Sequence, residues 1–281
     1  MLKPSTLELE VTNRCNANCF HCAHKNIKKF YDMDFDLYKR IVNETKDFTS
    51  KVSPNLYGES LLYPFIVEAI NYANNKGKRT ILYTNASLLN ENMAKRILKA
   101  GLNDIRISID GCDKDSYEAM RGGLSWNNVL SNVDSFMRLK RKGGYRIAVI
   151  IMVCETSINR DRIKDIVSFW KKRVGHVNLG KQYYVPTPDE IEANPFVSGK
   201  GLKCFRMSEQ LTVKGNGDLV ICCHDYLGTY IMADLNEVDS LKGFNSKKFN
   251  KLRKSMLTGE KIPLMCLYCP VYQGGRATIK Q

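Results

Sequence analysis

The chain has 281 residues, enough to bury one large domain and a smaller appendage. Hydrophobic residues make up 43% and charged residues 26% of it, as in ordinary globular proteins, and no apolar run reaches the roughly 18 residues that cross a bilayer. The N-terminal segment lacks the apolar stretch of a signal peptide, so we expect a cytoplasmic protein with no membrane partner.

Basic residues outnumber acidic ones, which gives a formal net charge of +14. Such an excess suits nucleic acid, an anionic substrate or an acidic redox protein as partner. The basic stretches 138–142, 171–173 and 247–254 fall on predicted helices or at their ends, where a solvated face is the simplest interpretation. No nucleic-acid-binding motif accompanies them, so a nucleic-acid partner is not expected.

Residues 1–185 alternate strand-like and helix-like segments. Six apolar or alternating runs predict strands: Leu7–Thr12, Lys51–Tyr57, Lys78–Thr84, Asp104–Asp110, Tyr145–Val153 and Val177–Val185. Amphipathic stretches between them predict helices, among them Phe35–Lys46, Phe65–Lys76, Glu91–Ala100 and Arg160–Lys172. The alternation predicts an α/β fold whose parallel strands form an open sheet or a partial barrel, with ligands at the carboxyl ends of the strands.

The regular alternation of strand-like and helix-like segments ends after Val185. We therefore divide the chain into a first domain at 1–185 and a second module at 186–281. Three prolines and two glycines make an irregular linker. Glu209–Lys214 and Asp218–Cys222 then predict a β-hairpin around a glycine-rich turn. A helix is predicted from Ser246 to Leu257.

Ten cysteines in a chain without an export signal favour metal or redox chemistry over disulfides. Cys15, Cys19 and Cys22 stand together immediately after the first predicted strand. Three thiolates on one short loop can hold three irons of a cubane cluster and leave the fourth iron open. A zinc site remains the alternative, because His21 and His24 lie within the same loop, although no fourth ligand completes this set at the usual spacing.

This loop resembles the C-x-x-x-C-x-x-C signature of the radical S-adenosylmethionine (SAM) superfamily. Later positions agree in order with the family's SAM contacts. The resemblance implies that Gly58 and Glu59 receive the SAM amino group and that His21 lies near the adenine. It also implies that Asn85, Ser108 and Asp110 hold the ribose and carboxylate. Tyr57 and Ser60 depart from the family's usual glycine and proline; Glu59 could instead begin a helix, and Asn85 and Asp110 could be ordinary turn residues.

The resemblance further implies a partial (β/α)6 barrel of the radical SAM type. Its members reduce SAM through a 4Fe–4S cluster, and the resulting 5′-deoxyadenosyl radical abstracts a hydrogen atom from a substrate. An electron donor such as flavodoxin or ferredoxin is then an expected partner. A non-enzymatic alternative is an iron–sulfur or zinc scaffold that binds RNA through its basic face. This alternative would leave Gly58, Glu59 and Asn85 unexplained.

A second constellation comprises Cys204, Cys222, Cys266 and Cys269. Four thiolates at these spacings suit tetrahedral zinc or a fully ligated iron–sulfur cluster, and spacing alone does not choose between them. The region resembles the SPASM/twitch extension of radical SAM enzymes, and the cysteine number favours the one-cluster twitch form, as in 2-deoxy-scyllo-inosamine dehydrogenases. Two 4Fe–4S clusters are therefore expected in all. Cys223 could replace Cys222, although the glycine spacing favours Cys222.

A second cluster that can accept an electron favours two-electron oxidation of a carbohydrate-like small molecule, a sugar or an aminocyclitol. Such a reaction needs a base, and residues at the end of the sixth predicted strand are candidates: Lys181, Tyr183, Tyr184 and Asp189. The alternatives are a radical epimerase with a cysteine hydrogen donor and a ribosomal-peptide maturase. Candidate donors are Cys154, at the end of the fifth predicted strand, and then Cys112 and Cys223.

Overall fold

A computed structural model describes residues 1–272, and within them strands and helices alternate as the sequence predicts. The strands are β1 (Thr6–Leu9), β2 (Asn18–Cys19), β3 (Lys51–Ser53), β4 (Arg79–Thr84), β5 (Asp104–Ser108), β6 (Arg121–Gly122), β7 (Ala148–Glu155), β8 (Val177–Lys181), β9 (Phe196–Val197), β10 (Gln210–Val213), β11 (Asp218–Val220), β12 (Ile231–Asp234) and β13 (Ile262–Pro263). The helices are α1 (Phe35–Glu44), α2 (Ile66–Asn75), α3 (Glu91–Lys99), α4 (Lys114–Met120), α5 (Trp126–Lys142), α6 (Ile163–Val174), α7 (Pro188–Ala193), α8 (Phe205–Glu209), α9 (Ser240–Phe244), α10 (Lys247–Thr258) and α11 (Leu264–Leu267).

Nine strands form one sheet in the order β12-β11-β10-β1-β3-β4-β5-β7-β8. The six strands predicted from the first domain, β1, β3, β4, β5, β7 and β8, run parallel to their neighbours. This confirms the α/β fold and agrees with a partial barrel of the radical SAM type. No helix among residues 1–272 is both long and apolar enough to cross a membrane.

Each face of the sheet has its own set of side chains, because successive residues on a strand point to opposite faces. On β7, Val149, Ile151 and Val153 are buried and belong to the hydrophobic core. Met152 has the opposite parity and is in register with Ser108 of β5, which lines a cavity. We call this second face of the sheet the lumen.

Four of the six predicted strands end earlier than the sequence suggested, the first at Leu9 and the fourth at Ser108. The second one stops at Ser53 because the next residue, Pro54, has no N–H to donate to a neighbouring strand. The sixth stops at Lys181, since β8 is the edge of the sheet and has a partner on one side only. The residues after these two ends are thereby free to form the loops of the site.

The hairpin of the second module does not stand apart from the first domain. Its first strand, β10, pairs in parallel with β1, so that Leu7 is in register with Leu211 and Leu9 with Val213. All four of these side chains are fully buried. The predicted hairpin therefore exists as β10 and β11, extended by β12, but it continues the main sheet. The division at residue 185 remains a prediction.

Candidate active site

The loop after β1 brings three cysteines to one cavity. Cys15, Cys19 and Cys22 line a cavity of about 250 Å³ at the ends of β3, β4 and β5. The two-residue strand β2 contains Cys19 and pairs with β6, which fixes the loop from its far side. The backbone N–H of His24 lies 3.5 Å from the Cys22 sulfur and donates to it. This is how protein groups support an iron-bound thiolate.

A glycine allows the segment after β3 to approach this loop closely. Gly58 has φ of +119°, and a Cβ there would stand 2.7 Å from the Thr12 carbonyl oxygen and 2.8 Å from that of Arg14. The next residue, Glu59, donates its backbone N–H to the same Arg14 oxygen at 2.8 Å. A larger residue at position 58 would therefore push the two loops apart.

The Glu59 side chain is buried and already accepts three hydrogen bonds. One oxygen receives the Thr84 hydroxyl at 2.6 Å and the Leu61 N–H at 3.1 Å, and the other receives the Asn85 N–H at 2.7 Å. Burial raises the pKa of Glu59 above its usual value. Glu59 also caps the short 3-10 turn Ser60–Leu62 and lines the cavity. Its carboxylate thus holds the loops together as well as facing the cavity.

Asn85 and Ser108 line the same cavity, as expected for groups that hold SAM. The Asn85 amide donates to Asn16 Oδ1 at 3.0 Å, and its oxygen accepts the Ser87 hydroxyl at 2.6 Å. These bonds make Asn85 a link between the cysteine loop and the end of β4. The role of both residues toward SAM remains a proposal.

The structure places Asp110 behind the cavity wall. One carboxylate oxygen accepts the Cys154 N–H at 2.6 Å, and the other lies 2.6 Å from Arg121 Nε. Arg121 lines the cavity, and its Nη1 donates to the Cys19 sulfur at 3.5 Å. His21 Nε2 lies 3.9 Å from the same carboxylate, and burial lowers the pKa of His21. Arg121, which sequence reasoning missed, therefore lines the cavity where Asp110 was expected, with a positive charge in place of a negative one.

The four cysteines of the second constellation line one small enclosed cavity. Cys204 stands before α8, Cys222 follows β11, and Cys266 and Cys269 lie in and after α11. Burial raises the pKa of the Cys222 and Cys266 thiols. A bound cation compensates that cost, because a coordinating thiol is deprotonated. The His224 N–H donates to the Cys222 sulfur at 3.4 Å, as the His24 N–H does to Cys22.

Cys223 takes no part in this cavity. Its sulfur accepts a hydrogen bond from Arg206 Nη1 at 3.0 Å, and it lies beside the buried carboxylate of Glu8. Glu8 accepts the Thr212 hydroxyl at 3.3 Å, and burial raises its pKa. Cys222 therefore lines the same cavity as the other three cysteines, and its role as a cluster ligand stays a prediction. Glu8, Cys223 and Arg206 form a polar group beside this cavity, which Arg206 also lines.

Tyr57 and Tyr183 each contact a residue of the second module. Tyr57 lines the first cavity, and its ring centroid lies 5.9 Å from that of Tyr226. The Tyr183 hydroxyl hydrogen-bonds to His224 Nδ1, and His224 lines the second cavity. Tyr57, which stands where the family usually has glycine, is therefore part of the cavity wall.

Of the other predicted catalytic residues, Lys181 is misplaced for its role. Its side chain is 79% exposed and lies 4.0 Å from Glu155, at an edge strand. The geometry therefore does not support it as a base. Cys154 lies at the end of β7 with the same parity as Met152, next to Asp110, and burial raises the pKa of its thiol to about 12. Cys112 lies beside Arg162.

The first thiol site lies at the carboxyl ends of parallel strands, and the second lies among α8, α11 and the end of β11. Residues 9–169, more than half of the chain, match the radical SAM superfamily, and residues 204–270 match the SPASM iron–sulfur cluster-binding domain. The chain belongs to the radical SAM superfamily. It binds a 4Fe–4S cluster and SAM through the first domain, and the SPASM domain binds additional iron–sulfur clusters.

Known proteins resemble the chain at low identity. AdoMet-dependent heme synthase of Methanosarcina barkeri is 24% identical over 189 residues, which are 66% of this chain and 52% of that protein. The chain spans about half the length of the first curated relatives it matches. BtrN in complex with AdoMet and 2-DOIA is 20% identical, with a TM-score of 0.62 over 92% of this chain and 89% of that one. SuiB of Streptococcus suis bound to precursor peptide SuiA is 15% identical, with a TM-score of 0.70 over 97% and 71%. These structural likenesses show the fold alone.

Proposed function

We propose that the protein oxidises a carbon that bears a hydroxyl or amino group in a small sugar or aminocyclitol. The observation that carries the proposal is that Tyr57 lines the first cavity and packs against Tyr226 of the second module, with 5.9 Å between ring centroids. A substrate beside Tyr57 would lie where the first cavity meets the second module. The likeness to BtrN with a bound 2-DOIA is compatible with this substrate class.

The two cofactor sites divide the chemistry of such an oxidation. When bound, SAM and its cluster supply a radical that removes a hydrogen atom from carbon, and a second, fully thiolate-ligated cluster can accept the remaining electron. The protein must then take up one proton from the substrate hydroxyl or amine. It must also hold the reacting carbon against the first cavity and keep water away.

We propose Glu8 as the group that takes this proton. Its carboxylate is on the lumen side of β1, beside Cys223 and Arg206, and burial raises its pKa toward the range in which a general base works. Tyr183 suits another task. Burial keeps the pKa of its phenol above the usual value, and the hydroxyl is already bonded to His224, so we propose that it positions a substrate hydroxyl.

The test is anaerobic turnover of reconstituted protein with SAM and a panel of aminocyclitols and sugars. Formation of a dehydrogenated product together with one 5′-deoxyadenosine per turnover would support the proposal. Cys222→Ala should still cleave SAM but give no oxidised product, because only the second site is changed. An oxidised product from this variant at the wild-type rate would contradict the proposed role of the second site.

A radical epimerase is the second candidate, because Cys154 lies on the lumen side of β7 within reach of Asp110 and Arg121. A thiol there could return a hydrogen atom to a substrate radical. Peptide maturation is the third candidate, and the likeness to SuiB with its precursor peptide is compatible with it. Deuterium from solvent in the product would separate the epimerase from the oxidase.

A further inference from the structure

The first cysteine loop carries exposed lysines and two exposed phenylalanines, and nothing in the proposed reaction uses them. The sequence from 13 to 31 contains four Lys or Arg residues and no Asp or Glu. We define the loop face as the exposed lysines and phenylalanines of this segment: Phe20, Lys25, Lys28, Lys29 and Phe30.

The two phenylalanines of the loop face are exposed to an unusual degree. Phe20 is 49% and Phe30 is 56% exposed, the largest values for any phenylalanine among residues 1–272. Neither ring is needed to fill the core. Exposed aromatic rings surrounded by polar residues are typical of a surface that contacts another protein.

The three lysines of the loop face carry uncompensated charge. Lys25, Lys28 and Lys29 are exposed, and within residues 1–272 none of them lies within 4.0 Å of a carboxylate. The neighbouring Arg14 differs, because Asp32 lies 2.6 Å from it. The free positive charge therefore belongs to the loop face itself.

The loop face is held in place by internal contacts. The Phe30 ring stacks on His24 at 5.8 Å between ring centroids, and His24 Nε2 contacts the Asn13 carbonyl oxygen at 2.7 Å. The buried Asn13 amide donates to the Lys29 carbonyl oxygen at 2.9 Å and accepts the Tyr31 N–H at 2.9 Å. A fixed surface of this kind binds a partner with little loss of conformational entropy.

Two residues of the loop face are close in the chain to the cysteines of the first site. Phe20 directly follows Cys19, and Lys25 lies in the 3-10 turn Ala23–Asn26 that Cys22 caps. Electron transfer between proteins weakens steeply with distance. A carrier bound here would therefore contact residues that lie close to Cys19 and Cys22 in the chain.

We infer that the loop face is the docking surface for an acidic electron-carrier protein of the flavodoxin type. The carrier gives up one electron, which enters the cluster held by Cys15, Cys19 and Cys22, and one SAM is cleaved for each electron delivered. Opposite charge speeds the encounter of such proteins by about 10 to 10³-fold, and the small apolar contact at the phenylalanines suits a transient complex. The inference rests on the proposed function only in requiring SAM cleavage.

The chain offers a matched control. Lys142, Lys171 and Lys172 are exposed lysines at the C-terminal ends of α5 and α6. Those ends lead into β7 and β8, at the edge where the strands begin, opposite the cysteine loop. Reversing these three charges changes the net charge as much as reversing Lys25, Lys28 and Lys29.

The experiment measures 5′-deoxyadenosine formed from SAM by reconstituted protein, with either dithionite or reduced flavodoxin as reductant. Lys25→Glu/Lys28→Glu/Lys29→Glu should slow the flavodoxin-driven rate at least tenfold and leave the dithionite-driven rate unchanged. The control triple should retain the flavodoxin-driven rate. Raising the salt concentration should slow the wild type and affect the loop-face variant much less.

Biolayer interferometry of oxidised flavodoxin on each protein gives a second readout that needs no SAM cleavage. The association rate should fall at least tenfold for the loop-face triple only, and Phe30→Ser should raise the dissociation rate. Equal losses in both triples, or unchanged association in the loop-face triple, would overturn the inference. The inference would also be overturned if the loop-face triple lost binding to a labelled single-stranded RNA but kept its binding to flavodoxin. Absence of SAM cleavage with dithionite in the wild type would instead reject the proposed function.

Discussion

Replacing Glu59 with glutamine perturbs the buried carboxylate on which two loops converge. Its oxygens accept the Thr84 hydroxyl at 2.6 Å, the Asn85 N–H at 2.7 Å and the Leu61 N–H at 3.1 Å. A glutamine amide keeps one acceptor oxygen, so its NH₂ group must face at least one of these donors. An unsatisfied buried polar group costs about 1–3 kcal/mol, and we expect the variant to lose stability of that order.

The pH dependence of this loss has a definite sign. Burial raises the pKa of Glu59, so the folded protein holds this proton more tightly than the unfolded chain does. The bound proton therefore contributes to the free energy of unfolding. This contribution is complete below the pKa of Glu59 in the unfolded chain, about 4.3, and disappears as pH rises through the pKa of Glu59 in the folded protein. Glutamine has no proton to lose there. The difference in unfolding free energy between wild type and Glu59→Gln should therefore narrow as pH rises across this window.

The assays are urea unfolding of the cluster-free protein and SAM binding to the reconstituted protein. SAM affinity should fall tenfold or more if the carboxylate receives the SAM ammonium, since a charge-assisted hydrogen bond contributes about 1.5–3 kcal/mol. The exposed Glu192→Gln is the control and should change neither quantity. Unchanged stability with weakened SAM binding would show that the three internal hydrogen bonds matter less than their geometry suggests. Lost stability with unchanged SAM affinity would leave Glu59 as a structural cap only.

Three further predictions follow from the site. Cys223→Ala should keep about eight irons per chain and Cys222→Ala only about four, as measured by iron analysis, and the reverse result would contradict the assigned cavity. Arg121→Gln should destabilise the protein by about 3–5 kcal/mol, because it leaves the buried Asp110 carboxylate unpaired. In urea unfolding, the double variant Arg121→Gln/Asp110→Asn should recover part of this loss. If the losses of the two single variants simply add in the double variant, the coupling is rejected. Cys154→Ala should leave turnover of an oxidase intact in deuterated solvent, whereas wild-type deuterium incorporation that vanishes in this variant would favour the epimerase.

The parallel part of the fold was predictable because each element carries a clear period. The continuous apolar run of β7 and the amphipathic pattern of α3 identify these elements, β7 to within three residues of its observed bounds and α3 to within one. The strand β12 and the helix α4 escaped prediction because they are short and lie between irregular segments. The pairing of β10 with β1 could not be predicted either. A periodic pattern indicates that a strand is buried, but it does not indicate which strand lies beside it.

The site was predictable where spacing determines it and not where side chains meet across the fold. Both thiol groups follow from cysteine spacing. The ion pair of Arg121 with Asp110 depends on how α4 and β6 return the chain to the cysteine loop, which no local pattern encodes. The exposed position of Lys181 was not predictable for a related reason, since a strand end alone does not say which face a side chain takes.

The parallel pairing of β1 with β10 has a consequence for synthesis of the chain. While the chain is being made, Thr6–Leu9 can pair with Lys51–Ser53 early, but its other edge stays open until residues 210–213 have emerged. An open apolar edge is a site for misassociation between unfinished chains. The loop that carries Cys15, Cys19 and Cys22 leaves directly from this strand. Stable cluster insertion at the first site should therefore wait for the last quarter of the polypeptide, and a chain cut within the linker would expose this edge permanently.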